Sequence, residues 1–94
     1  MESLDLAFNA EIWLPMLNFS LSRILFDTLD QTKTIDLYLR YIKAGFIDRV
    51  LNILFQANNL SSLTVKILKC LCYFHEGMKY KRIKEALMSK MAHH

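Results

Sequence analysis

Hydrophobic residues recur three and four positions apart through most of the chain, which is the spacing of one face of an α-helix. The pattern is clearest between Gly45 and Gly77. An apolar stripe begins there at Phe46, a polar stretch interrupts it, and a second stripe ends at Phe74. The two stripes predict two amphipathic helices bounded by glycines, and the rest of the chain looks like partial copies of this pair.

Polar stretches mark where these helices begin. Asp30, Thr32 and Thr34 are all competent N-cap residues for a helix that continues to about Lys43. The segment 57–62 is rich in Asn and Ser, which favour loops over helix interiors, and Ser61 or Ser62 is expected to cap the next helix. Gly45 and Gly77 are both expected to end a helix in the left-handed conformation.

The first third of the chain is strongly apolar and less clearly divided. Residues 3–10 predict a short helix with Ser3 as its N-cap. We expect a second helix from near Trp13, with Pro15 in its first turn or at a kink, and a further helix from Leu21. At the other end, the pattern restarts after Met78 and predicts a basic helix whose narrow apolar stripe is formed by Ile83, Leu87 and Met91.

Composition supports a folded, all-α protein of about five to six helices. The chain has 94 residues, of which 53% are hydrophobic and 22% are charged, so it is too apolar for a disordered tail. Two glycines and one proline leave little material for hairpins. The length allows one domain, spanning residues 1–94.

The helix lengths also suggest an internal repeat. A short helix ending in Ala44-Gly45, a second helix, a loop and a longer third helix ending at Gly77 resemble an armadillo repeat. On this basis residues 1–33 form a partial repeat, residues 34–77 a full repeat and residues 78–91 the start of the next. A two-helix HEAT-like repeat is the alternative, in which Tyr41 and Tyr73 become equivalent.

The resemblance implies a short right-handed α-solenoid that acts as a non-enzymatic protein-interaction or scaffold module. In armadillo proteins that carry nuclear import signals, the third helix presents a Trp and, four residues later, an Asn to a concave groove. The matching positions here are Lys69 and Tyr73. With Lys66 they form the predicted partner-binding face, which we expect to bind an acidic or aromatic segment rather than a basic one.

A solenoid this short leaves apolar ends exposed, because about three repeats are usually needed to bury a continuous core. We therefore expect either a piece of a longer solenoid or a protein completed by a partner or by self-association through those ends. A compact helical-bundle adaptor, closed by its own helices rather than stacked, is a further possibility.

The alternative function depends on a run of basic residues in the last helix. This run could contact nucleic acid or an anionic membrane surface, although the net charge of +3 is mild and no aromatic series for base stacking accompanies it. The simpler interpretation of this basic run is a helix face that is exposed to solvent. The run contains Lys79, Lys81, Arg82 and Lys84, with Lys90 six residues further on.

Recognisable catalytic chemistry is missing from the sequence. We find no glycine-rich phosphate loop, nucleophile elbow or zinc-protease motif, and we expect neither enzyme activity nor a cofactor or small-molecule substrate. Cys70 and Cys72 point in different directions on a helix, so we interpret them as reduced thiols rather than a disulfide or metal site. Acids near Met1 and the absence of a long apolar run predict a cytoplasmic or nuclear protein.

Overall fold

A computed structural model describes residues 2–27, 30–56 and 63–92, and throughout these ranges the regular structure is helical, with no strand. The predicted all-α class is confirmed. There are five helices in the described ranges: α1 (Glu2–Asp27), α2 (Gln31–Lys43), α3 (Phe46–Gln56), α4 (Thr64–Gly77) and α5 (Lys81–Met91).

Helix α1 is one helix of 26 residues, so the predicted short helix over 3–10 with Ser3 as its N-cap, the separate start near Trp13 and the division near Leu21 are all wrong. Pro15 lies inside the helix rather than in its first turn, with its ring exposed. The physical reason is packing, since a continuous buried face can outweigh the local cost of a proline and the weak helix propensity of serine. That face recurs with helical spacing along the described side chains: Ala10, Leu14, Leu17, Leu21 and Ile24.

Helix α2 begins and ends where the local sequence predicts. Asp30 is the N-cap, and its carboxylate accepts hydrogen bonds from the backbone N–H groups of Thr32 at 2.9 Å and Lys33 at 3.4 Å. At the other end Gly45 adopts φ of +89°, a conformation that L-residues with a side chain rarely tolerate. Both predictions are confirmed.

Helix α4 differs from the prediction at both ends. It begins after Leu63, which forms no side-chain capping bond, while Ser61 and Ser62 lie outside the described residues. It ends at Gly77 as predicted, but Gly77 is not left-handed. Gly77 is instead buried against the ring of Tyr38, where a Cβ would lie 2.8 Å from Cε1. That close approach explains why glycine occupies the position.

The helices pack around one core, in which α1 lies against α4 more extensively than any other pair. Helix α2 packs on α5 and on α3, and α1 also crosses α3 and α2. The ring of Phe46 at the start of α3 contacts Trp13 and Tyr41, with centroids 6.0 and 5.7 Å away. The largest fully buried side chains are Tyr38, Leu14, Leu21, Ile67, Ile83, Val50 and Cys70.

Two predicted core positions are exposed. In α4 the apolar stripe that ends at Phe74 predicts Leu68 on the buried face and Cys70 on its flank, but Leu68 is 54% exposed and Cys70 is buried. In α5, Ile83 and Leu87 are buried as predicted, but Met91 is 55% exposed. Periodicity alone could not resolve these positions, because neighbouring apolar residues offer more than one face.

Candidate partner-binding groove

Three predicted binding residues lie on one side of α4. Lys66, Lys69 and Tyr73 are three and four positions apart, and neighbours at this spacing lie on the same face of a helix. The structure brings them together along one groove with a volume of about 360 Å³. The opposite wall belongs to α1 and is formed by Pro15, Asn18, Phe19 and Ser22.

The α1 wall was missed at the sequence level. Its residues are also three and four apart, so their shared face was visible in the sequence. The prediction of a helix boundary near Leu21 excluded the single long helix that forms the wall. The spacing alone does not indicate which helix packs opposite α4, because that depends on the tertiary structure.

Asn18 ties the two walls together beneath the groove. Its side-chain Nδ2 donates a hydrogen bond to the backbone carbonyl of Lys66 at 3.0 Å. The residue is buried, and its Oδ1 has no hydrogen-bond partner among the described residues. A buried amide satisfied on one side stabilises less than a fully bonded one, because the other atom is still removed from water. The bond nonetheless fixes the position of α4 relative to α1.

The groove is positively charged and aromatic. The ammonium group of Lys66 lies 3.6 Å from a carboxylate oxygen of Glu11, a partly exposed pair of the kind that contributes about 0–1 kcal/mol. Lys69 is exposed at the centre of the α4 wall. The ring of Phe19 is 65% exposed and lies 5.8 Å from the guanidinium of Arg23. The groove is therefore lined by two lysines and two aromatic side chains.

The α4 wall is held from below by a buried tyrosine of α2. The hydroxyl of Tyr38 donates a hydrogen bond to the backbone carbonyl of Tyr73 at 2.8 Å, and its ring meets Phe74 edge-on at 5.9 Å. Burial raises the pKa of Tyr38 well above its usual range, and the nearby Cys70 and Glu76 raise it further. The phenol is therefore a neutral structural donor.

The predicted basic patch lies elsewhere, at the turn before α5 and on the first turn of that helix. Lys79, Lys81, Arg82 and Lys84 are all exposed. Lys79 and Lys84 share a shallow depression of about 370 Å³ with His75, Glu76 and Met78.

Acidic residues accompany this patch. Lys81 lies 4.0 Å from Glu85, and Glu76 lines the depression that holds two of the lysines. Lys90, at the far end of the same helix, pairs with Asp48 of α3 at 3.0 Å. The patch is thus less uniformly basic than the sequence run alone indicates.

The cysteines differ in environment. Cys70 is buried, and burial raises the pKa of its thiol to about 12, whereas Cys72 is exposed. Both are free thiols. Across the described residues, no three His, Cys, Asp or Glu side chains are grouped so that they could hold a metal ion. A search of the same residues finds no helix with the length and apolar character needed to cross a membrane.

These features define, over the described residues, an all-helical unit with a basic and aromatic groove lined by two helices distant in sequence. In comparisons with protein-family models, with curated proteins and with solved structures, no match to this chain was found.

Proposed function

We propose that this protein is a non-enzymatic interaction module that binds an acidic, aromatic-containing segment of another protein in the groove between α1 and α4. The observation that supports this most directly is the convergence of Lys66, Lys69 and Tyr73 on one groove with Phe19. Lysines attract carboxylates, and exposed aromatic rings offer apolar contact area at low entropic cost.

We further propose that the helices belong to a short armadillo-type solenoid. Its support is the order of packing, in which α1 lies on α4 and α2 lies on α5, each pair three helices apart along the chain. A repeat of three helices produces this order, whereas a repeat of two would stack α2 on α4 and α3 on α5 as its main pairs. In the three-helix arrangement, the α1–α4 groove lies between successive third helices.

The groove's size and charge restrict its ligand. About 360 Å³ accommodates one or two side chains rather than a whole helix, so the bound segment is anchored by a few residues. An anchoring aromatic ring fits between Phe19 and Tyr73, and a carboxylate placed nearby reaches Lys69. Binding of this kind is strongest at the centre of the contact and depends on few residues.

The test uses a fluorescently labelled synthetic peptide of alternating Glu and Trp, measured by fluorescence anisotropy. The double variant Lys69→Glu, Tyr73→Ala is expected to weaken binding at least tenfold, which corresponds to the loss of about 1.4 kcal/mol. Far-UV circular dichroism and the thermal midpoint check that the fold is retained, because Lys69 is exposed but Tyr73 is half-buried against the core.

Two controls separate the groove from general charge attraction. Lys84→Glu makes the same charge reversal in the basic patch and is expected to leave the affinity unchanged. A peptide of alternating Lys and Trp tests whether the groove selects negative charge. If the double variant and the wild type bind the Glu-Trp peptide with equal affinity, the groove is not the binding site.

The alternative function, contact with nucleic acid or an anionic membrane, is supported by the exposure of Lys79, Lys81, Arg82 and Lys84. A salt titration with a labelled single-stranded oligonucleotide tests it. Phosphate contacts give an affinity that falls steeply as salt rises. A steep dependence whose slope decreases on Lys84→Glu favours the patch over the groove.

A further inference from the structure

The outer face of α1 carries an apolar stripe that no described helix covers. Ile12, Met16, Phe19 and Phe26 are 63%, 67%, 65% and 76% exposed. With Arg23 included, the positions follow one another at intervals of four, three, four and three residues. This is the spacing of a coiled-coil seam, in which each helix presents a narrow apolar line to a partner helix.

The stripe is too large to be a scatter of single exposed side chains. At about 150–250 Å² for a large side chain, the four exposed fractions amount to roughly 540 Å² per chain. Two copies that cover each other's stripe therefore bury roughly 1,100 Å², which lies close to the lower end of the range for specific interfaces, about 1,200–2,000 Å². Exposed apolar area on this scale marks an interaction site.

We propose that two copies of this chain dimerise by packing their α1 helices against each other in antiparallel orientation, centred on Phe19. The stripe is self-complementary in this arrangement, because Ile12 of one copy lies opposite Phe26 of the other. The seam between these two positions is roughly 21 Å long at 1.5 Å per residue.

Charge decides the orientation. A parallel pair brings the two Arg23 side chains together in the seam, where like charges repel. Antiparallel packing about Phe19 separates them by roughly 12 Å along the helix axis, which exceeds the Debye length of about 8 Å at physiological salt. Each Arg23 then lies beside Met16 of the other copy, where its aliphatic stem covers apolar surface.

This surface shares Phe19 with the groove of the proposed function, so a dimer centred on Phe19 and a segment anchored on that ring compete for the same side chain. Ile12 and Phe26 do not line the groove. Substitutions at these two positions therefore test dimerisation without removing a groove residue.

The experiment measures the oligomeric state of the full chain by sedimentation velocity over a wide concentration range. The wild type is expected to form a dimer. Ile12→Lys and Phe26→Glu are each expected to weaken dimerisation at least tenfold, since each places a charge opposite an apolar residue. The double variant Ile12→Lys, Phe26→Glu is expected to recover the dimer, because antiparallel packing sets each Lys opposite a Glu.

Controls make each outcome decisive. Met88→Lys introduces a charge at a comparably exposed apolar position on α5 and is expected to leave the dimer intact. Circular dichroism and the thermal midpoint check that every variant folds. A wild type that stays monomeric, or a dimer insensitive to both single changes, overturns the interface. Failure of the double variant to recover overturns the antiparallel register.

Discussion

Helices α2 and α4 both run toward a glycine, but their ends are held by different interactions. At α2 the carboxylate of Asp30 caps the first turn, and Gly45 reverses the chain with a left-handed φ. At α4 neither end has a local device of this kind among the described residues. Leu63 supplies no capping side chain, and Gly77 is a contact surface for Tyr38, 39 positions earlier in the chain.

The comparison shows two different physical reasons for which a position requires glycine. Gly45 has open space around it, since the nearest atom to an added Cβ would be Asp48 Oδ2 at 3.8 Å, and only its backbone conformation requires glycine. Gly77 has an ordinary backbone and no space. A substitution therefore fails at Gly45 through strain and at Gly77 through a steric clash.

The largest effect is expected for Gly77→Val. Its branched side chain enters a volume that is already occupied by two side chains. The Tyr38 ring is fully buried and fixed by its hydrogen bond, and the Cγ2 of Ile83 would be 3.3 Å from the new Cβ. Overpacking of this kind costs about 3 kcal/mol. Thermal unfolding should show a midpoint lower by roughly 10 °C or more.

The matched control for this prediction is Cys72→Val, which places the same side chain at an exposed position of the same helix. Its stability should change by less than about 0.5 kcal/mol. If the two variants unfold at the same temperature, the close contact between Gly77 and Tyr38 is not a feature of the folded protein.

A smaller loss is expected for Gly45→Ala, about 1–2 kcal/mol, because the left-handed conformation strains a residue with a Cβ. Gly45→Asn should lose less than Gly45→Ala, since asparagine tolerates this conformation better. Urea unfolding of the three proteins gives the order Gly, Asn, Ala. An alanine variant as stable as the wild type contradicts the left-handed turn.

These two positions also show how much of the structure could be predicted from sequence. Local signals were sufficient at α2, where a cap residue and a glycine act on their own neighbours. They were insufficient at Gly77, where the determining atom belongs to Tyr38, and at Leu21, where continued packing of α1 on α4 outweighs the local breakers.

The candidate site likewise has one part that could be predicted from the sequence and one part that could not. The spacing of Lys66, Lys69 and Tyr73 predicted a shared face, because that face belongs to a single helix. The opposing wall and the hydrogen bond from Asn18 to the Lys66 carbonyl join residues 48 positions apart, and helical periodicity carries no information about which helices meet.

Asp30→Ala tests the local capping of α2 and should cost about 1 kcal/mol, because the backbone N–H groups of Thr32 and Lys33 lose their acceptor. Asp30→Asn keeps an acceptor oxygen and should retain most of the stability. Urea unfolding provides the measurement. Equal destabilisation by both substitutions would attribute the effect to the lost charge rather than to the capping hydrogen bond.

The most specific effect is expected for Tyr38→Phe, which removes only the hydroxyl that reaches the Tyr73 carbonyl from across the fold. The loss at neutral pH should be about 1 kcal/mol, the usual contribution of one such hydrogen bond.

The pH dependence of this loss distinguishes the buried phenol from the three other tyrosines. Because burial raises the pKa of Tyr38 in the folded protein, the folded state keeps its proton while the unfolded chain releases it above about pH 10. The wild type therefore has its full stability below that pH and loses it as the pH rises further. The phenylalanine variant lacks this particular loss, because it has no phenol at position 38. The difference in urea unfolding free energy between them should shrink from neutral pH toward pH 11, and a difference that stays constant places Tyr38 in contact with solvent.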